Sequence, residues 1–294
     1  MNFFDDVAGL CRTKLLEAGY SLPTASTTEE DVFNYLRVAR RRIEPLPRTV
    51  HIATELVCPP EHQQGFDAIL ERAEAGEPLR PYQSKRVGRA SYNDNLLNAW
   101  DIHHFHFGTT IDVDGWASRT GPLLYARVTP TDFYCIKVLE HGAWTQQDLV
   151  ATLHRNWAAS LEPFHAKGAI RLAYQVTDEQ VKAHWDLGIN TAVQVEENFI
   201  YMPMGGGFSS NKTSTWVVMG KIWLAKECRR IEEYIQKQLD DKNSAVSRAL
   251  SVSQPPASQT NFHLNISDGC VCLVDLASGV TVNIGERLQL PALI

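Results

Sequence analysis

The sequence predicts an α+β protein, in which a small antiparallel sheet carries helices on one face and a C-terminal β appendage follows. Apolar and polar residues alternate over 101–107, 122–128 and 133–141, as they do in half-buried strands. Segments with helical spacing and capping residues lie on both sides of these strands. Hydrophobic residues make up 44% and charged residues 21% of the chain, which is typical of a globular protein.

Composition and charge exclude several classes of protein. No apolar run approaches the roughly 18 residues that a membrane helix requires. The amino terminus carries Asp5 and Asp6 where an export signal carries basic residues, so we expect a cytoplasmic protein. A net charge of -6 argues against indiscriminate coating of nucleic acid but is compatible with a local basic patch. The six cysteines show no CxxC spacing, and we expect buried free thiols.

The first quarter of the chain predicts three helices and one strand. Glycine favours the left-handed conformation that ends a helix, so the first helix stops before Gly19. The run Ser26-Thr-Thr-Glu29 fits a capping box and opens the second helix. In chain order we predict a helix over 3–18, a helix over 26–43, a strand over 50–57 and a helix over 60–75.

Further strands and helices follow. Thr129-Pro-Thr-Asp132 joins two strands as a hairpin, and Thr177-Asp-Glu-Gln180 is another capping box. In chain order we predict strands over 101–107, 122–128 and 133–141, a helix from 145 to 161, a strand over 169–176, a helix over 177–187, a hairpin over 192–202, a long helix over 216–239 and two or three short strands between 262 and 290.

These elements divide the chain into four segments. They are an N-terminal helical region (1–48), a main α+β domain (49–250), a linker (251–261) and a small β appendage (262–294). The appendage is too short to bury much core alone. We therefore expect it to dock on the main domain, or to supply a surface for a homodimer or another partner.

Three of the chain's 10 histidines lie within four residues. Because side chains alternate along a strand, His103, Phe105 and Phe107 share one face. The two phenylalanines identify this face as the core face, so His104 and His106 stand side by side on the opposite one. Two imidazoles at this spacing can converge on one ligand, metal or phosphate. We expect His104 to matter for activity and His103 for stability.

The face that carries these two histidines also collects cations and a tyrosine from the hairpin. Its candidate catalytic residues are His104, His106, His141, Arg127, Lys137 and Tyr125. Imidazoles can transfer protons, and Arg and Lys can stabilise charge that develops on a phosphate. The residue types therefore favour phosphodiester cleavage on an open sheet face.

Two loops supply candidate RNA-binding residues, which are Arg80, Lys85, Arg86, Arg89 and Lys212. The first four belong to a basic loop that leads into the histidine strand; it is either an exposed linker or a clamp for a polyanion. Lys212 belongs to the glycine-rich loop Gly205–Thr215. That loop has Asn211 where a phosphate-binding loop requires glycine. We treat it as an ordinary loop, with a mobile lid that touches phosphate as the alternative.

The run Leu-Leu-Tyr-Ala-Arg-Val-Thr-Pro-Thr-Asp-Phe-Tyr-Cys-Ile-Lys-Val-Leu-Glu-His (123–141), preceded by Leu97-Asn-Ala-Trp-Asp-Ile-His, resembles the sheet of RelE/YoeB-type ribonuclease toxins. The resemblance implies a curved antiparallel sheet with helices on one face and RNA on the other. It also implies cleavage by the substrate's own 2'-hydroxyl without metal. His141 carries over as the general acid, and Arg119 or Arg127 stands near the family's arginine. The histidine stretch also resembles segments of uncharacterised bacterial proteins.

We therefore expect a metal-independent endoribonuclease of toxin or phage-defence type, with RNA as its substrate and an antitoxin or regulatory protein as a second partner. One alternative is a metal-dependent hydrolase or nuclease that binds zinc or manganese through His104, His106 and His141. The other is a non-enzymatic interaction module in which the histidines are structural.

Overall fold

The computed structural model describes residues 2–251, 262–267, 269–276, 279–288 and 290–291, and it confirms the α+β class with a C-terminal sheet. The helices are α1 (Phe3–Glu17), α2 (Thr28–Arg41), α3 (Gln63–Ala75), α4 (Asn95–Trp100), α5 (Asp148–Leu161), α6 (Asp178–Leu187), α7 (Thr215–Asp240) and α8 (Ala245–Ser251). The strands are β1 (Thr49–Ile52), β2 (Ile102–His106), β3 (Pro122–Val128), β4 (Asp132–Glu140), β5 (Val193–Glu196), β6 (Phe199–Tyr201), β7 (Phe262–Ser267), β8 (Cys270–Asp275) and β9 (Thr281–Arg287).

Internal contacts group the chain into two compact units. The first comprises residues 1–40, 88–91 and 217–294, and the second comprises 41–87 and 92–216. The N-terminal helices and the C-terminal strands, which we predicted as separate segments, thus belong to one unit. Most of the predicted linker, residues 252–261, lies outside the described residues.

The first unit is built from α1, α2, α7, α8 and an antiparallel sheet in the order β7-β8-β9. Its core includes Phe3 and Leu15 from α1, Leu224 and Ile231 from α7, and Leu273 from β8, all without solvent exposure. The C-terminal strands therefore obtain a core by packing with the helices, as their short length requires.

The second unit contains a four-stranded sheet in the order β1-β4-β3-β2 and a separate β5-β6 hairpin. Strand β1 runs parallel to β4, whereas β2, β3 and β4 pair antiparallel. The hairpin of β3 and β4 that the sequence predicts is present. A register shift between Tyr125 and Ala126 leaves Ile136 without a paired residue, so a β-bulge bends β4.

Both faces of this sheet are buried. On one face Phe105, Leu124 and Phe133 pack in a core with α3, and on the other Leu123 and Tyr125 pack in a core with α5. Our prediction of an open sheet face for RNA is therefore wrong, because α5 and its neighbours cover that face. Any ligand site on this side has to be a pocket rather than a platform.

Local capping chemistry accounts for several helix boundaries. The capping box of Thr177 and Gln180 is present. The box at the start of α2 lies one residue later than predicted: Thr27 Oγ1 accepts a hydrogen bond from the Glu30 N–H at 3.2 Å, and the Thr27 N–H donates to Glu30 at 3.3 Å. Residues 169–176 form no strand, and the strand predicted over 50–57 shortens to β1.

No helix within the described ranges combines the length and the apolar character that a bilayer span requires.

Candidate functional site

Strand β2 is positioned by the short helix α4 that precedes it. The Asp94 carboxylate caps α4 by accepting a hydrogen bond from the Leu97 N–H at 3.2 Å. Asp101 ends α4 in the left-handed conformation, with φ of 60°, and turns the chain into β2. His104 then pairs with Tyr125 across the sheet. The predicted alternation is confirmed, because Phe105 and Phe107 lie in the core on the α3 side.

A cavity of about 580 Å³ lies beside His104, entirely within the second unit. Its charged and imidazole side chains are Lys85, Arg86, Arg119, Lys182, His104, His141, Asp94 and Asp186. Its aromatic side chains are Tyr92, Trp144 and Trp185. This volume falls within the usual range of small-molecule sites. We call this cavity the histidine pocket.

Positive charge dominates the wall of the histidine pocket. Lys85 is ion-paired with Asp114 at 2.7 Å and with Asp112 at 3.8 Å. Arg86 and Arg119, by contrast, form no ion pair with any residue in the described part of the chain. Burial, and then repulsion from Arg86, lowers the pKa of the Arg119 guanidinium. Two like charges without a carboxylate favour binding of an anion between them.

Two of the three histidines of β2, His104 and His106, are held neutral. Burial, followed by repulsion from Arg119, lowers the pKa of both His104 and His106 to about 3. His106 Nδ1 accepts a hydrogen bond from the Thr120 N–H at 3.3 Å, which places the ring proton on Nε2. His106 Nε2 and His104 Nδ1 are buried without a hydrogen-bond partner in the described protein. Both rings are thus uncharged near neutral pH.

His141 occupies a different environment in the same pocket. It is exposed, and its ring centre lies 4.9 Å from that of Trp144 at an interplanar angle of 81°. The Trp144 ring also lies 4.7 Å from the His104 ring. Trp144 therefore contacts a buried neutral imidazole and an exposed one. Of the two pocket histidines, His141 is the better placed to exchange a proton with water or a ligand.

The structure brings only two of the six candidate catalytic residues into the pocket. Arg127 instead pairs with Asp101 at 3.4 Å and donates to the Ser160 carbonyl at 3.2 Å. Lys137 pairs with Asp148 at the start of α5. The other two, His106 and Tyr125, lie in the buried interior next to the pocket. Arg127 and Lys137 are kept out of the pocket because α5 packs on the face that we predicted to be open. Ser160 and Asp148 of α5 contact these two cations.

The candidate RNA-binding residues also separate. Lys85 and Arg86 line the histidine pocket. Arg80 lies over the Trp116 ring, with its guanidinium carbon 5.1 Å from the ring centre. Arg89 belongs to the first unit. The carbonyl oxygen of Lys212 accepts a hydrogen bond from the Asn93 amide at 3.0 Å, and the lysine does not line the pocket.

The glycine-rich loop is fastened to α4 rather than free to close. The Gly205 N–H donates to the Ala99 carbonyl at 3.1 Å, and the Gly207 N–H donates to the Asn98 carbonyl at 2.8 Å. The Asn190 side chain bonds both the N–H and the carbonyl of Phe208, at 2.7 and 2.9 Å. This geometry favours the ordinary loop over a mobile lid.

The described part of the structure offers no set of ligands for the metal-binding alternative. Within the described residues, no group of three or more His, Cys, Asp or Glu side chains is arranged to hold a metal ion. His104, His106 and His141 therefore do not form the tripod that a zinc or manganese site needs.

Several pocket residues were not among the predicted site residues. Arg119 entered only as a substitute for the arginine of the toxin family, and Trp144, Trp185 and Lys182 were not predicted as site residues. Arg119 lies in a loop, three residues before β3, and Lys182 lies on an amphipathic helix. A single sequence contains no periodic signal that would join such positions.

The second unit is thus an α+β domain with a cationic, aromatic pocket built from segments that are distant in the sequence. Comparison with protein-family models, curated proteins and solved structures gives no match. The toxin-like sheet consequently stays a prediction, and function has to be argued from the pocket.

Proposed function

We propose that the protein is a metal-independent ribonuclease that binds the reacting phosphodiester in the histidine pocket. The observation that carries this proposal is the presence of two arginines without carboxylate partners, Arg86 and Arg119, beside two histidines. Aromatic side chains line the same cavity, which suits a ligand that combines phosphate with a base.

The charge of the pocket suits the transition state better than the substrate. A phosphodiester carries one negative charge, whereas the phosphorane formed when the 2'-hydroxyl attacks carries close to two. Arg86 and Arg119 attract a group with two negative charges more strongly than a group with one. Interactions that strengthen only in the transition state accelerate the reaction.

Proton transfer is assigned to His141. As the 2' oxygen bonds to phosphorus, its proton passes to solvent; the bond to the 5' oxygen breaks, and His141 in its protonated form donates to that oxygen. His141 regains its proton from water. His104, with a pKa of about 3, contributes a neutral imidazole that adds no positive charge. The products are a 2',3'-cyclic phosphate and a 5'-hydroxyl end.

A second candidate function is nucleotide binding without cleavage. It is favoured by the low pKa of His104 and His106, because an imidazole with a pKa near 3 is a weak base at neutral pH. In this case Arg86 and Arg119 hold a phosphate, and His141 is a contact rather than an acid.

The test is incubation of the purified protein with single-stranded RNA in the presence of EDTA, followed by analysis of the ends. We expect cyclic phosphate ends, a loss of activity of at least 100-fold in His141→Gln, and a similar loss in Arg119→Gln. His62→Gln and Arg171→Gln are the matched controls, because both residues lie outside the pocket.

Binding of RNA without cleavage would favour the second candidate. Cleavage that disappears with EDTA and returns with zinc or manganese would contradict the metal-free mechanism. Equal activity in His141→Gln and His62→Gln would remove His141 from the reaction.

A further inference from the structure

We infer that a second nucleotide subsite lies outside the histidine pocket, on the Arg80–Trp116 pair, so that the substrate is a single strand longer than one nucleotide. This inference rests on the proposed function, because it extends the same site. In this pair the guanidinium carbon of Arg80 lies over the Trp116 ring, 5.1 Å from its centre, with Arg80 exposed and Trp116 half-buried.

Trp116 is held on a rigid turn. The Asp112 N–H donates to the Trp116 carbonyl at 2.8 Å, and the Gly115 N–H donates to the Asp112 carbonyl at 2.9 Å. The next residue, Ala117, donates its N–H to the Pro81 carbonyl at 2.9 Å, which ties this turn to the segment that carries Arg80. The platform is therefore preorganised, and little ordering is needed when a base stacks on it.

Lys85 connects the platform to the pocket. Its ammonium lies 2.7 Å from Asp114 Oδ2. The other carboxylate oxygen of Asp114 accepts a hydrogen bond from the backbone N–H of Trp116 at 3.4 Å. Lys85 also lines the histidine pocket. A cation thus stands between the pocket and the aromatic platform, where the phosphate that joins two nucleotides would lie.

The chemistry of this arrangement indicates single-stranded RNA. Bases of an unpaired strand stack on aromatic side chains and on arginine planes, and basic side chains follow the backbone between them. Stacking of this kind tolerates any base. A duplex keeps its bases stacked on one another, so it cannot use the platform.

The ion pairs of Lys85 with Asp112 and Asp114 are exposed. Exposed pairs of this kind contribute little to stability. A backbone phosphate can therefore replace the two carboxylates as the partner of Lys85.

The experiment measures equilibrium binding of 2'-O-methyl RNA, which lacks the attacking hydroxyl, as a mononucleotide 3'-phosphate and as a tetranucleotide. We expect the tetranucleotide to bind at least tenfold tighter. Trp116→Ala removes that gain but leaves mononucleotide binding unchanged, and Trp116→Phe retains most of it. Trp223→Ala, which alters an exposed tryptophan in the first unit, is the control.

The outcomes separate the two proposals. Equal affinity for the two probes, or no effect of Trp116→Ala, overturns the second subsite alone if mononucleotide binding still depends on Arg119. Equally tight binding of a 2'-O-methyl duplex also overturns it. If neither probe binds, both the subsite and the proposed function are overturned.

Discussion

The indole ring of Trp144 lies 4.7 Å from the imidazole ring of His104, with the two ring planes inclined by 53°. The same indole lies 4.9 Å from His141. Trp144 therefore contacts both the buried and the exposed histidine of the pocket, so a ligand that enters the pocket would change its surroundings.

We predict that a nucleotide 3'-phosphate changes the tryptophan fluorescence of the protein and that most of this change comes from Trp144. Trp144→Phe keeps an aromatic wall, so binding measured by calorimetry survives while the fluorescence change is lost. Trp185→Phe is the comparison, because Trp185 lines the pocket but is almost fully buried. An undiminished fluorescence change in Trp144→Phe would contradict the assignment.

Because His104 and His106 are neutral in the folded protein, we predict that its free energy of unfolding decreases in acid. The folded-state pKa of His104 and His106 is about 3, against 6.5 for a free imidazole. Between these values the unfolded chain binds protons that the folded chain does not. The free energy of unfolding therefore falls as pH drops below 6.5, by about 2 kcal/mol for each histidine at pH 5. Urea denaturation at pH 7.5 and pH 5 measures this loss.

Replacing either histidine by Asn should reduce that pH dependence. Each of His104→Asn and His106→Asn removes one titrating group, so the difference in unfolding free energy between the two pH values shrinks by about 2 kcal/mol per substitution. If the double variant kept the pH dependence of the unmodified protein, the two imidazoles would have the same pKa in the folded and the unfolded chain, which would contradict their neutral state.

The two neighbouring histidines of β2 should differ in their roles. His103 lies on the α3 side, where its Nδ1 is 3.4 Å from the Gln83 amide, whereas His104 lines the pocket. His103→Ala should lower the melting temperature with little change in nucleotide affinity, and His104→Ala should lower affinity and activity more. Thermal unfolding and binding measured on both variants decide the matter; the reverse pattern would contradict the strand register.

Arg127 and Arg119 should respond in opposite ways to substitution. Arg127 is buried and paired with Asp101, so Arg127→Gln breaks a buried ion pair and costs about 3 kcal/mol of unfolding free energy. Arg119→Gln costs little stability but weakens phosphate binding by tenfold or more, since hydrogen bonds to charged groups contribute about 1.5 to 3 kcal/mol. Denaturation and ligand titration on both variants distinguish them. A larger loss of affinity in Arg127→Gln would restore Arg127 to the site.

The glycine-rich loop supplies a matched pair of substitutions. A Cβ at Gly205 would lie 2.0 Å from the Leu97 carbonyl oxygen, whereas a Cβ at Gly206 meets nothing within 4 Å. Gly205→Ala should cost about 3 kcal/mol through the clash. Gly206→Ala should cost about 1 kcal/mol, through its φ of +87° alone. Equal costs in denaturation would show that the loop moves away from α4.

The elements that the sequence predicts correctly are those that depend on interactions between residues close together in the chain. The capping box at Thr177 and the glycine at 188 define α6, because both act within a few residues. The alternation that separates His103 from His104 follows from strand geometry and two phenylalanines. The hairpin of β3 and β4 follows from its turn residues in the same way.

The composition of the pocket could not be read from the sequence in this manner. Its walls come from residues 84–86, 92–96, 104, 119, 141, 144–145, 182 and 185–186, which only the packing of α4, α5 and α6 around β2 and β3 brings together. Lys85 and Arg86 were predicted as phosphate contacts from local charge, but Trp144 carries no local signal.

The sequence by itself determined the α+β class, the helix boundaries set by caps and glycines, and the face on which each histidine of β2 lies, because these depend on chemistry within one segment. Only the tertiary structure decided that α5 covers the predicted open face and that Asp101 and Asp148 pair with Arg127 and Lys137. It also decided that Arg86 and Arg119 form no ion pair within the described part of the chain. Such pairings depend on which distant segments pack together, and periodicity within a segment does not encode them.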